Sequence, residues 1–401
     1  MNILFIDTGL PMPDRASADL RMFTIVELLA QQGHKCYYNV INYPSWSKQI
    51  SETDLIRYQT SLENLGTSVC KQNIDIALLN RNYDSIYFKY FYPAENIIDH
   101  IRLLQPRARI IIDSVDIVYA RLFAKAKLEN TTNYYLDAEK IKKRELVTYS
   151  KSDLVVTITP EDTNILLKDI PNINTFIIPN IHEIHAFESE KTPFPSLIFI
   201  GVFSHEPNVD AVLYFYHEVW PTITEAHPDC HWFIVGGSPP PEIQALAGSK
   251  ISITGYVPKT LPYLKKSWIS IAPLRFGAGM KGKVGEAMAA GIPVVTTDFG
   301  AQGLKIISGT HLIVAKNDED YAIQINNLIL DKEKRLYIGD QGLKFIKANY
   351  SKEAVSFILN DFTKIIENLP AYRPTVKSVL YVAYTRMSQW ITRNITWRFN
   401  K

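Results

Sequence analysis

Between Arg275 and Thr297 the chain reads RFGAGMKGKVGEAMAAGIPVVTT. Gly277 and Gly279 permit a tight loop whose backbone N–H groups can turn toward one ligand. Lys281 and Lys283 add positive charge where a helix begins, and a helix N-terminus already favours anions. Glu286 follows Lys283 on the same helical face, one turn deeper, where a carboxylate can accept hydrogen bonds from paired sugar hydroxyls. Gly291 ends the helix, Pro293 prevents its continuation, and Val294 and Val295 open a buried strand. Phosphate at the mouth and ribose one turn in describe a nucleotide site.

This run resembles the donor-nucleotide motif of the retaining GT-B glycosyltransferases of family 4 (glycosyltransferases group 1). The resemblance extends over roughly residues 2–369. The loop LPMPDRASADLRMF is similar to one in a bacterial polysaccharide subgroup, and Ile177-Ile178-Pro179-Asn180 resembles the stretch that ends the family's first domain. It implies an α/β chain of two Rossmann-like, doubly wound domains facing a cleft. It also implies transfer of a sugar from a nucleotide diphosphate sugar to a hydroxyl acceptor with retained configuration, in cell-surface polysaccharide or glycolipid assembly. The partners expected are that donor and a glycan or lipid-linked acceptor. No cofactor is expected. No metal is expected, and lysine and arginine would stand where one otherwise balances the diphosphate.

The elements needed to position such a site are legible. A chain of 401 residues suits two domains, and a 46% hydrophobic content supports buried sheets. A net charge of +2 gives no case for nucleic-acid binding. Cys36, Cys70 and Cys230 are scattered, which argues against a disulfide framework or zinc site and for a reducing cytosol. No apolar run approaches a membrane span. A cytoplasmic protein, soluble or peripheral on the inner face of a membrane, is expected.

Ile3–Asp7, a helix over Ser17–Gln32 and a strand from Lys35 form a βαβ opening. Further strands are expected at Ile74–Leu79, Ser85–Tyr90, Arg109–Asp113, Leu154–Ile158 and Thr175–Ile178, with one long helix over 120–150. The first domain spans 1–185, with a polar linker from His182 to Pro195. Ser196 to Ser204 then restarts the pattern, and the second domain spans 186–369.

Candidate acceptor-side residues are Asp14, Arg15 and Arg121. Asp14, Arg15 and Arg21 are either a helix cap with solvated arginines or groups at the cleft mouth. Asp116 ends a strand and faces the crevice, or else caps the next helix and pairs with Arg121. The resemblance would place a histidine near Asp116, where Val118 stands. It makes Arg275, Lys281 and Asp116 the candidate catalytic groups. It makes Gly277, Gly279, Lys281, Lys283, Glu286, Tyr256 and Gly303 the candidate donor-binding groups. Two departures matter. Gly279 occupies a position where many members have glutamate, and the first strand of the second domain is followed by Asn208 rather than by the usual arginine and lysine.

Residues 370–401 contain six basic residues and no acidic one. Apolar residues recur there at helical spacing, as in a crossover helix or a basic amphipathic helix on an anionic membrane or partner. A non-catalytic GT-B scaffold or glycan-binding protein, and a sugar-nucleotide epimerase, are the competing functions.

Overall fold

The computed structural model describes residues 1–129, 132–185, 191–277, 279–370, 372 and 376–391. The first domain is a parallel sheet of seven strands: β1 (Asn2–Asp7), β2 (Lys35–Val40), β3 (Ser68–Cys70), β4 (Ser85–Lys89), β5 (Arg109–Asp113), β6 (Leu154–Thr157) and β7 (Thr175–Ile177). Their order is β3-β2-β1-β4-β5-β6-β7. The central strands are unbroken apolar runs because helices cover both faces. The order reverses between β1 and β4, which opens a crevice at the strands' C-terminal ends.

The second domain repeats the plan with β8 (Ser196–Ile200), β9 (His231–Val235), β10 (Ile251–Ile253), β11 (Ile269–Ala272), β12 (Val294–Thr296) and β13 (Ile313–Val314), in the order β10-β9-β8-β11-β12-β13. Here the switch lies between β8 and β11, so the loops after those two strands flank one crevice.

Six helices matter to the site. They are α1 (Ser17–Gln31), α2 (Val118–Glu129), α3 (Thr132–Ser150), α4 (Pro160–Asp169), α5 (Glu206–Tyr214) and α6 (Gly282–Ala289). Gly291 follows α6 with φ +66°, the left-handed turn that stops it.

Three sequence expectations change. The segment expected as the strand Ile74–Leu79 is a helix, Ile74–Asn80, because the Asn73 side chain caps it by accepting from Asp75 N. The single helix over 120–150 is two, α2 and α3, packed along each other. The helix α7 (Lys352–Asn368), allotted to the second domain, lies on α1 of the first. Ser351 caps it, and Val355, Leu359, Phe362 and Ile366 are buried in the first domain's core. Each such side chain contributes about 1.5–3 kcal/mol on full burial, which fixes the crossing. The last helix, α8 (Val376–Ile391), also returns to the first domain, where Tyr381 meets His100.

Candidate functional site

The loop Arg275–Lys281 leaves β11 and enters α6. Its glycines adopt φ +144° at Gly277 and +67° at Gly279, conformations closed to most side chains. Lys281 is the N-cap residue, and its ammonium donates to Gly279 O at 2.6 Å. Lys283 lies over the Phe199 ring at 4.1 Å and donates to Asn208 Oδ1, on the loop side of β8. Glu286 accepts from the Thr260 hydroxyl. The switch point therefore gathers the lysines, Asn208 and Glu286 in one recess.

These charges are held at a cost. Burial, and then Lys281, push the Lys283 ammonium down to about 7. Burial pushes Lys281 down to about 8, against the opposing pull of Asp162 and Asp116. Burial raises Glu286, against Thr260 and Lys283. Asp162 rises to about 6, mainly through burial. A bound anion would relieve both lysines at once.

The first domain supplies the opposite wall. Gly279 faces Asp116, and a side chain on Gly279 would stand 3.5 Å from Asp116 Cβ. Val115, a β-branched residue at φ +60°, turns the chain there. Such a conformation costs about 1–3 kcal/mol and persists only where its surroundings impose it. Asp116 does not cap α2. The backbone N–H groups of Val118 and Tyr119 donate to Glu145 at 3.1 and 3.0 Å, leaving Asp116 to pair with Arg121 at 2.7 Å.

Arg275 has a carboxylate partner of its own. Asp210 holds its guanidinium in a two-point ion pair, and its ring neighbour is Tyr214 at 4.9 Å. The loop geometry places it on the surface of the second domain. Gly303, at φ +80°, packs against Thr159, with the side-chain position 2.3 Å from Thr159 Cγ2. Domain contact explains that glycine. Arg21 is also removed from the cleft, being buried beside Asp113.

Asp14, Arg15 and Tyr256 come together across the domain boundary. The Tyr256 hydroxyl and the Tyr58 hydroxyl both donate to Asp14, and Arg15 sits 5.6 Å from the Tyr256 ring centroid. Partial burial opposes ionisation of Asp14, yet these hydrogen bonds hold its carboxyl below the usual range. Neither Asp14 nor Ser17 caps α1, since Ala16 is the N-cap and makes no side-chain bond.

Four residues to which sequence reasoning gave no place in the site lie in or beside this region. His205 opens onto the cleft, and partial burial followed by Arg121 lowers it to about 4. It occupies space near Asp116, where the resemblance had called for a histidine from the other domain. Ser17 abuts Gly282, so the N-termini of α1 and α6 converge. Asn180 donates to Met280 O at 3.0 Å and ties the interdomain crossing to the lysine loop. His182 fills the space beside Gly285, where a side chain would stand 2.1 Å from Nε2, which explains a glycine inside α6. Only the Ile-Ile-Pro-Asn stretch gave a sequence signal for any of these.

Among the described residues, no group of three or more His, Cys, Asp and Glu is arranged to hold a metal ion.

The family model "Glycosyl transferases group 1" matches residues 194–331. An uncharacterized 44.6 kDa protein in the cps region of Klebsiella pneumoniae is 22% identical over 393 residues, 90% of this chain and 99% of that protein. Sucrose-phosphate synthase from Thermosynechococcus elongatus superposes with a TM-score of 0.68 at 13% identity, covering 91% of this chain and 99% of that one. Anabaena HepE, in complex with UDP and glucose, gives 0.64 at 13% identity over 91% and 100%. A TarM variant from S. aureus, bound to fondaparinux, α-GlcNAc-glycerol and UDP, gives 0.58 at 17% identity over 73% and 58%. The chain is a GT-B-fold protein with a glycosyl transferases group 1 domain over residues 194–331.

Proposed function

We propose that this protein transfers a sugar from a nucleotide diphosphate sugar to a hydroxyl of a glycan or lipid-linked acceptor, with retained configuration and without a metal. The observation that carries the reading is the convergence of Lys281, Lys283 and the α6 N-terminus, with Glu286 one turn in, opposite Asp116 and Arg121. UDP in the HepE and TarM complexes supports a uridine donor. The cps-region relative supports a polysaccharide role.

In this reading Glu286 accepts hydrogen bonds from the ribose hydroxyls, and the two lysines with the α6 N-terminus take the diphosphate. As the glycosidic bond breaks, charge grows on the leaving phosphate. Lysines already pressed toward neutrality by burial stabilise that charge more than the ground state. The acceptor hydroxyl attacks from the leaving-group face, and its proton passes to the departing phosphate oxygen. Asp116, Arg121 and the neutral His205 orient sugar hydroxyls. Arg275 acts from outside by fixing the loop to Asp210.

Thermal stabilisation by UDP, GDP, dTDP, ADP and their sugars tests this reading. A ligand at about a hundred times its dissociation constant adds about 2.7 kcal/mol. One nucleotide should stabilise the wild type and leave Glu286→Ala unmoved. A folded protein indifferent to the whole panel favours a non-catalytic scaffold, and donor turnover without acceptor favours an epimerase.

A further inference from the structure

At the C-terminal ends of β4 and β5 the chain makes two strained turns side by side. Tyr90 follows β4 at φ +69°, and Val115 follows β5 at φ +60°. The left-handed region is costly for a bulky side chain and persists only where the surroundings impose it. Tyr90 N donates to Asp113 O at 2.8 Å, which ties the first turn to the neighbouring strand. The turn delivers the Tyr90 ring into a stack with Tyr92, with centroids 5.0 Å apart and planes 17° apart.

The short helix Phe91–Glu95 that carries Tyr92 is anchored to α3. Phe91 and Ala94 are buried, Phe91 meets Tyr149 edge-on, and Arg144 pairs with Glu95 at 2.8 and 2.7 Å. Tyr92 nevertheless keeps 40% of its surface open, while Tyr90 covers one face of its ring. Burial raises the Tyr92 phenol, Tyr90 and Asp7 add to that, and Asp116 reaches it too. The open ring therefore stands at the crevice, on the wall that holds Asp116 and Arg121. A rigid aromatic face beside carboxylates suits an amphipathic ligand. A pyranose is one, since its axial C–H groups form an apolar face and its rim of hydroxyls donates to carboxylates.

Charge narrows the class. Lys89 is held by Asp7 at 3.1 Å and by Asp19, Arg121 by Asp116 at 2.7 Å, and Arg144 by Glu95. Four carboxylates thus stand against three cations, and a phosphate or uronate on this wall would meet like charge.

We propose that Tyr92, backed by Tyr90, is the platform on which the receiving sugar of the acceptor lies, and that this sugar is an uncharged pyranose. The inference rests on the transfer reading, which brings the acceptor to the donor across from the lysine loop, where Gly279 faces Asp116.

Ligand-observed NMR titration of the full chain tests it. The probes are methyl β-glucopyranoside and methyl β-galactopyranoside, beside methyl β-glucuronide and glucose 6-phosphate. At least one neutral glycoside should bind, and the two charged sugars should bind at least about tenfold more weakly. Tyr92→Ala should weaken the neutral glycoside about tenfold, whereas Tyr92→Phe, which keeps the ring, should bind like the wild type. Tyr92→Leu keeps apolar bulk and loses the ring, so it gives the same reading if the alanine variant unfolds. Nucleotide stabilisation, measured on the same proteins, should persist in all three variants. A wild type that a nucleotide stabilises but that binds neither neutral glycoside keeps the transfer reading and overturns this inference. Equal binding of the charged sugars, or unchanged binding by the alanine and leucine variants, overturns it as well. So does loss of nucleotide stabilisation in a folded Tyr92→Ala, which would assign the ring to the donor. A wild type indifferent to every nucleotide that still binds a neutral glycoside through Tyr92 loses the transfer reading and keeps the sugar platform.

Discussion

Each domain buries a group of charges, and the two groups are built on opposite principles. In the first domain Arg21 is enclosed by Asp113, by Ile178 O at 2.7 Å and by Pro179 O at 3.1 Å, and Tyr87 donates to the same Asp113 at 2.6 Å. Burial alone would lower a guanidinium pKa, yet Asp113 holds Arg21 raised. In the second domain Lys281 and Lys283 crowd one recess, and burial lowers both. A cation whose partners outweigh its desolvation is a structural tie. A cation whose desolvation outweighs its partners is poised for an anion from outside.

Breaking the structural tie should have the largest effect. Arg21→Ala strands the Asp113 carboxylate and should cost about 3–5 kcal/mol in urea unfolding. Its effect on nucleotide affinity should be small at temperatures where it stays folded. If Arg21→Ala is as stable as wild type, the contrast between the groups is lost.

Lys283→Met should do the reverse. Removing a buried charge partner costs about 2–5 kcal/mol of ligand binding, read by calorimetry with a nucleotide sugar. Stability should hold or rise. The unfolded chain keeps this proton up to 10.5, whereas the folded chain releases it at about 7. The resulting penalty is full below about pH 7 and fades as pH rises toward 10.5. In the wild type, the same titration makes nucleotide-sugar affinity fall as pH rises through about 7, by up to about tenfold per pH unit. A flat profile would detach Lys283 from the phosphate.

A smaller effect tests how the lysine helix is seated. Gly285→Ala presses a methyl against His182 and should cost about 1–3 kcal/mol. His182→Ala in the same chain should recover most of that loss in thermal unfolding. Additive losses would mean that the ring is not what the glycine accommodates.

The smallest effect concerns the link between the domains. Tyr256→Phe removes one interdomain hydrogen bond to Asp14, worth about 0.5–1.5 kcal/mol. Small-angle scattering should show a slightly more open particle while nucleotide affinity changes little. A large loss of affinity would make Tyr256 a donor contact.

The sequence by itself determined the local parts. Unbroken apolar strands, the restart at Ser196 and the run of Gly277, Lys281, Lys283 and Glu286 before Gly291 announced two wound sheets and a helix that starts at a glycine turn beside two lysines. Those signals are legible because strand burial, helix starts and helix stops depend on near neighbours in the chain. What the sequence left open was decided by residues far apart in it. Asp116 could cap α2 or face the cleft, and Glu145 settled that by taking the cap. Arg21 and Arg275 carry the same guanidinium as any phosphate ligand, and only the arrival of Asp113 and Asp210 shows where their charge goes. Apolar content alone read Ile74–Leu79 as a strand, and the Asn73 cap makes Ile74–Asn80 a helix. His205 and His182 carry no motif, and they enter because the chain crosses between domains and closes the cleft around them. A charge's role depends on the balance of burial and partners, and that balance exists only in the folded chain.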